Sequence, residues 1–390
     1  MKTIVLLLGT IALGLFVYNN FRGARSAVMP AVGNIVETVK EKNKAPAINQ
    51  TDFPLALPDG FSISIYAKDL GGPRVLAFDP SGTVIMSITG QGKVVAVMDA
   101  DGNGLTEATG TVANGLKQPH GLAFGSNGKL YIAETDQVAM YDYDSFEHKA
   151  SNKKKIIDLP GGGNHFSRTI GFGQDGKLYI AIGSTCNVCV ENNSKRAKIL
   201  VANADGSDLK EYASGLRNSV FFTWHPQTQE MWATDMGRDL IGDNIPPDEV
   251  NIVKYGNFYG WPYCYGKNIQ DNSFKPTQSC QNAIPSHIDF QAHSAPLGLA
   301  FIPDSWPAQY RDDLLIAYHG SWNRTVPTGY KIVRAKLDAQ GNYEGTEDFI
   351  SGWLANDGAL GRPVDLLFGP DGSLYISDDK AGVIYRVIQT

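Results

Sequence analysis

No block of basic residues interrupts the 390-residue chain: Lys and Arg total 34 against 40 Asp and Glu, a formal net charge of −6. The electrostatic footprint of a nucleic-acid-binding protein is therefore absent. No helical 3.6-residue period is sustained, which argues against a helical bundle. Beyond the N-terminal stretch there is no second apolar run, and no Cys lies near that stretch for lipid attachment. Cysteine is scarce, at 4 residues. Cys186 and Cys189 form a C-x-x-C followed by Val190 rather than His, so covalent c-type haem attachment is excluded. Electrons released by any oxidation would leave to a separate acceptor.

Of what is present, the first feature is an export pattern. Lys2 precedes an almost unbroken apolar run from Ile4 to Val17, followed by Arg22, Arg25 and Ser26-Ala27-Val28. The run is slightly short for a span, which needs ~20 residues, so a cleaved signal peptide and a retained anchor both stay open. The expected layout is a signal or N-terminal membrane anchor over 1–25, a linker over 26–50 and a folded unit over 51–390, in the periplasm or outside the cell. If the segment is retained, it tethers the chain to the inner membrane. Four cysteines suit an oxidising compartment. Pairings 186–189 and 264–280 are expected, Cys264 and Cys280 bracketing a polar loop, although four cysteines permit three connectivities. A zinc site is the rival, without partners at finger-like spacing.

One phrase recurs: an apolar strand, a turn rich in Pro, Asp and Gly, then a second apolar strand. Copies start at Pro73, Pro119, Ser167, Asn218, Ala295 and Arg362. The aromatic before each turn falls at Phe78, Phe124, Phe172, Trp224, Phe301 and Phe368, so the first three intervals are 46, 48 and 52 residues and the last two 77 and 67. A four-stranded propeller blade occupies ~40–50 residues, and Asp-Gly turns at hairpin spacing fit its strands. The repeat thus predicts an all-β, six-bladed β-propeller with insertions near 238–294 and 320–355. Stacked sandwiches are the alternative, but radial closure leaves fewer exposed edges. The residues just ahead of each phrase should face the central channel: His120, His165, Arg217, His293 and Arg362. Cationic and imidazole groups converging on one funnel suit an anionic ligand or acid–base chemistry.

Several runs carry a more specific resemblance: GGGNHFSRTIGFGQDGKLYIAIGS (161–184), SGLRNS (214–219), TDMGRD with PPDEVN (234–251), YGWPYCYG (259–266), AHSAPLGLAF (292–301) and GRPVDLLFGPDGSLY (361–375). Together, from about Leu57 to the C-terminus, the chain resembles the soluble glucose/sorbosone dehydrogenase family, in its sorbosone-dehydrogenase-like branch. That family oxidises sugars with pyrroloquinoline quinone (PQQ) and calcium on a six-bladed propeller. The resemblance implies that His165 is the general base, taking a proton from the sugar's anomeric hydroxyl while hydride passes to the quinone. It implies that Arg217, Asn218 and Arg362 hold the cofactor, and that the carbonyls of Gly237 and Arg238 bind calcium.

The chain departs from the family pattern at Asn164, where Asp precedes the base, and at Val364, where a second arginine stands. The cofactor-binding lysine has no clear counterpart, Arg324 being the candidate substitute. Arg168 is a further candidate cofactor contact or an interblade salt bridge. Asp248 and Glu249 either complete a calcium site or belong to a solvated loop. His293, His120 and Trp261 are substrate candidates, each with a structural alternative. Asp99-Ala-Asp101-Gly-Asn103-Gly104 imitates an EF-hand loop but has Gly110 at its twelfth position, and reads as a turn between outer strands. A calcium-dependent lactonase-like propeller hydrolase would carry Asp and Glu at the inner strand starts, where this chain has His and Arg. A non-catalytic exported binding scaffold would not require the Arg-Asn pair. The expected partners are a small-molecule sugar and an external electron acceptor.

Overall fold

The computed structural model of the protein describes residues 46–275, 278–356 and 358–390. The proposed signal or anchor over 1–25 lies outside them. Among the described residues no helix is long and apolar enough to cross a membrane. Residues 48–390 form one compact unit built on six antiparallel blades, each running from an inner first strand to an outer fourth; five are four-stranded sheets, and the sixth gains a fifth, parallel strand, Ile48–Gln50, on its outer edge.

Blade 1 comprises Leu76–Phe78, Val84–Ile88, Lys93–Met98 and Ala108–Ala113; blade 2 Leu122–Phe124, Leu130–Glu134, Gln137–Asp144 and Lys149–Asp158. Blade 3 comprises Arg168–Phe172, Leu178–Ile182, Lys198–Ala202 and Lys210–Ser214; blade 4 Phe222–Trp224, Met231–Asp235, Asp248–Val253 and Ile288–Phe290. Blade 5 comprises Pro296–Phe301, Leu314–Tyr318, Lys331–Leu337 and Tyr343–Ile350. Blade 6 takes Pro363–Phe368, Leu374–Asp378 and Val383–Gln389 from the C-terminus. Its fourth strand, Phe61–Ala67, comes from the other end of the chain and pairs antiparallel with Val383–Gln389. The ring is therefore closed by backbone hydrogen bonds between its two ends, which leaves no open edge there.

The repeat's aromatics explain how the blades stack. In four of the six phrases the second strand carries an aromatic that packs edge-on against the turn aromatic of the next blade. Tyr131 meets Phe172 at 4.9 Å, Tyr179 meets Trp224 at 5.7 Å, Trp232 meets Phe301 at 5.3 Å and Tyr375 meets Phe78 at 5.6 Å between ring centroids. Edge-to-face geometry sets the positive rim of one ring against the negative face of its neighbour. Four of the six turns place a Gly at positive φ, Gly82, Gly128, Gly176 and Gly372, a conformation a side chain would strain.

The insertions differ in extent from the sequence reading. Blade 4's lies mainly between its third and fourth strands, where Cys264–Tyr265 pairs with Ile269–Gln270 and Gln278–Gln281 forms one helical turn. The stretch assigned to 320–355 contains two regular strands of blade 5; the added residues are the loops 302–313, 319–330 and 351–362. The Asp99–Gly104 stretch joins the two outer strands of blade 1, as expected for a turn. Of the expected disulfides, Cys186–Cys189 is formed. Cys264 and Cys280 are instead buried free thiols, their insertion held by a small apolar cluster with Ala283.

Candidate active site

Antiparallel alternation brings two kinds of connection to one end of the ring: the segment entering each first strand and the segment leaving each second strand. At that end a funnel of about 360 Å³ opens, its wall including His165, Arg217, Asn218, Gly237, His293 and Arg362. Asp239, Asp248, His319, Trp322 and Asn323 complete much of the remainder.

His165 precedes the first strand of blade 3 and packs against Ser184, which leaves the second. Its Nδ1 lies 2.9 Å from both the Ser184 carbonyl oxygen and Ser184 Oγ. Ser184 Oγ donates to the Cys186 carbonyl at 2.7 Å. A carbonyl only accepts, so Nδ1 carries the proton and Nε2 the lone pair. Burial, then the positive charge of Arg217, pushes the imidazole down to about 3, with Arg196 and Arg168 adding to this and the Ser184 carbonyl opposing it. The ring is thus neutral around neutral pH, with a free acceptor nitrogen. Gly183 permits the close approach of base and amide: a Cβ there would lie 2.5 Å from Asn218 Oδ1 and 2.6 Å from His165 Cβ.

Arg217 is held on several sides. Nε donates to the Asn187 carbonyl at 2.9 Å, Nη1 to the Met236 carbonyl at 3.2 Å, and Nη2 to Asn187 Oδ1 at 2.9 Å and Asp239 Oδ2 at 3.0 Å. Four of its five N–H donors are so engaged. The Arg217 and Asn218 amides both donate to Asp235, at 2.9 and 2.6 Å. Burial lifts the Asp235 carboxyl to about 7 against those bonds. Arg362 spends Nε and Nη2 on the His319 and Gly320 carbonyls, at 3.0 and 2.8 Å. Its Nη1 donates to none of the described residues.

Asp248 lines the funnel, but both its oxygens accept backbone N–H groups, from Gly237 at 2.9 Å and Ala295 at 2.8 Å. It thereby fixes the Gly237 turn. Neither the Gly237 nor the Arg238 carbonyl accepts a hydrogen bond within the described residues, which suits a hard cation. The Arg238 side chain pairs with Asp271 at 2.8 Å.

Five expected site residues stand elsewhere. Arg168 is fully buried and donates to the carbonyls of His165, Ser167 and Pro160. It braces the His165 loop rather than touching a cofactor, and Arg196 binds the same loop through the His165 and Pro160 carbonyls. Arg324 fastens the loop at Asp243 to Ala292 outside the funnel wall. His120 is fully buried against Phe221, its Nδ1 3.3 Å from Thr169 Oγ1, and does not line the funnel. Trp261 and Glu249 border a separate cavity of about 20 Å³ beneath the wall. There Glu249 accepts from the Gly266 amide at 2.6 Å and from Asn251 at 3.0 Å. His293 does reach the funnel, with Nε2 2.8 Å from the Gly242 carbonyl and Nδ1 3.4 Å from Asn323 Nδ2.

The sequence reading looked only ahead of each phrase and so missed His319, Trp322 and Asn323, which follow a second strand in HGSWNR. His319 Nε2 lies 2.9 Å from Asp379, and Trp322 is 71% exposed at the funnel mouth. Asn323 donates to Asp239 at 2.8 Å, while its own buried Oδ1 has no partner among the described residues. The unspent donors of Arg362 suit a polyanionic group, and the orphan Asn323 oxygen and the open Gly237 carbonyl suit a donor or a cation beside it, whereas Arg238 borders the small cavity and not the funnel.

Fold and site together define a six-bladed propeller with a basic, histidine-lined funnel. The TrAA12-like family model matches residues 55–390, and the chain belongs to that family, in agreement with the resemblance carried by its motifs. An uncharacterized protein of Borreliella burgdorferi is 34% identical, over 87% of this chain and 92% of its own length. The PQQ-dependent pyranose dehydrogenase of Coprinopsis cinerea is 25% identical over 88% of this chain, which spans 56% of that enzyme's length. The solved holo form of that enzyme's PQQ domain superposes with a TM-score of 0.76 at 23% identity, covering 88% of this chain and all of the domain.

Proposed function

We propose that the protein is a quinone-dependent dehydrogenase of aldose or related sugars, acting outside the cytoplasm and passing electrons to an external acceptor. The convergence of His165, Arg217, Asn218 and Arg362 on one funnel carries this reading, in a family that includes a PQQ-dependent pyranose dehydrogenase. The export-like N-terminal pattern and the Cys186–Cys189 bridge support the location.

When bound, PQQ supplies a two-electron hydride acceptor, and calcium beside it polarises the quinone. Arg362 and the remaining donor of Arg217 would meet the cofactor's carboxylates. The Gly237 and Arg238 carbonyls would hold the calcium. His165, through Nε2, would take the proton from the anomeric hydroxyl. Its ligand-free basicity is low because burial first, and then Arg217, disfavours imidazolium; an anion paired with that arginine would relieve the repulsion.

The test is reconstitution of the purified chain with PQQ and calcium, followed by aldose titration with an artificial electron acceptor. Calcium-dependent quinone uptake and aldose oxidation are expected. Absence of quinone binding would overturn the reading.

A further inference from the structure

The loop Cys186-Asn187-Val188-Cys189, closed on itself by its disulfide, touches both halves of the site. On one side the Cys186 carbonyl accepts from Ser184 Oγ, which in turn faces His165 Nδ1. On the other, the Asn187 carbonyl and side-chain oxygen receive Nε and Nη2 of Arg217, each at 2.9 Å. Asn187 thus presents a two-oxygen fork to the guanidinium, as a carboxylate would, without adding charge. Its side-chain amide also pairs with the backbone of Asp239: Oδ1 accepts the Asp239 amide at 2.8 Å, and Nδ2 donates to the Asp239 carbonyl at 3.1 Å. Asp239 returns to Arg217 at 3.0 Å. One residue therefore joins the segment leaving the second strand of blade 3 to its counterpart in blade 4.

We propose that Asn187, fixed by the Cys186–Cys189 bridge, is the positioning residue of the site: it sets the Arg217 guanidinium toward the funnel, while the same bridge holds the Ser184 contact that orients His165. The identity of the anion that Arg217 meets rests on the quinone reading; the positioning itself does not. A free four-residue loop would have many conformations in which the fork is lost. The bridge removes most of them, and a guanidinium keeps bidentate geometry only when its partners are preorganised.

The full chain is compared with Asn187→Ala and with the double variant Cys186→Ser/Cys189→Ser. In the quinone-free proteins, nitrogen-15 NMR follows solvent exchange of the Arg217 Nη–H groups, identified by their disappearance in Arg217→Lys. PQQ affinity is measured by fluorescence titration with calcium present. In Asn187→Ala, which removes the acceptor of Arg217 Nη2, faster Arg217 Nη–H exchange and a loss of affinity of about ten- to a hundredfold are expected, the usual cost of removing a residue that orients a ligand-holding group. Parent-like exchange in that variant overturns the proposal. If the double variant does not fold, the bridge is cleaved in the folded parent by a dithiol, which is oxidised to its cyclic disulfide as the two cysteines gain two electrons and two protons as thiols. Faster Arg217 exchange after cleavage supports the role of the bridge, and unchanged exchange refutes it. If the parent itself takes up no quinone, the functional reading fails, while the exchange comparison still decides the positioning.

Discussion

The Nδ1 atom of His165 sits 2.9 Å from the Ser184 carbonyl oxygen, so a single backbone acceptor selects the imidazole tautomer and leaves the lone pair on Nε2. Where the related pattern has Asp, this chain has Asn164, whose backbone amide bonds the Thr185 carbonyl at 2.8 Å. Orientation of the ring comes from blade 3's own second strand. His165→Ala should lower kcat for aldose oxidation by ~10²–10⁴, the usual contribution of a positioned base, while quinone affinity stays within about threefold of the parent. A steady-state assay beside a quinone titration separates the two. Equal losses in both would assign His165 to cofactor binding instead.

Gly183 makes a second prediction. Because an added Cβ would stand 2.5 Å from Asn218 Oδ1 and 2.6 Å from His165 Cβ, Gly183→Ala must push base and amide apart. A displacement of an ångström in a reacting constellation costs about a hundredfold. The expected result is a kcat loss of that order with a lowered melting temperature, because the crowded position is buried, read from turnover and a melting curve. Parent-like turnover would show that the two side chains need not approach so closely.

The ring was legible because its period is written in side chains that must recur. Each turn needs a residue tolerant of its backbone, and most blades present an aromatic to the next, so Phe78, Phe124, Phe172, Trp224, Phe301 and Phe368 mark the blades. Phe61–Ala67 was not legible: it lacks the turn phrase, and its role depends on pairing with a strand more than 300 residues away. At the site, residues entering a first strand were found by position. His319, Trp322 and Asn323 follow a second strand inside a loop whose path no local period reports. Arg168 and Arg324 were misplaced for a common reason. An arginine beside a site can serve the ligand or the carbonyls of the loop that builds the site, and the sequence does not distinguish them.

Trp322 makes a third prediction. It projects from the loop after Leu314–Tyr318, lines the funnel and remains 71% exposed. The sequence offers Trp261 either as a sugar-facing aromatic or as part of its loop's own core, and that ring is buried in blade 4's insertion. An exposed indole at the mouth offers an apolar face to a pyranose. Trp322→Ala should raise KM by about tenfold, corresponding to ~1.4 kcal/mol of lost stacking, with kcat within about twofold. A fall in kcat at unchanged KM would contradict a role in substrate binding.

Asp365 links the pH dependence of stability to ring closure. Its Oδ2 accepts the Leu76 amide at 2.8 Å, joining the inner strands of blades 6 and 1, and its Oδ1 accepts the Leu366 amide at 2.8 Å. Burial lifts the carboxyl to about 7 despite these two bonds and the nearby Arg74. An unfolded Asp titrates near ~3.9, so between about pH 4 and 7 the folded chain keeps a proton that the unfolded chain has lost. Stability from this group is therefore greatest below pH 4 and falls as pH rises through 7, by up to ~1.4 kcal/mol per pH unit. Asp235 and Asp248, also buried and lifted to about 7, act in the same direction, so the difference between parent and variant isolates Asp365. Asp365→Asn keeps an oxygen for the Leu76 amide and gives up the bond from Leu366, a loss of about 1 kcal/mol. It does not titrate. Urea unfolding from pH 4 to 8 should find the variant less stable than the parent at the acidic end and more stable at the alkaline end, with the two curves crossing between. Parallel curves would mean that Asp365 is already ionised in the folded ring, its charge compensated by Arg74.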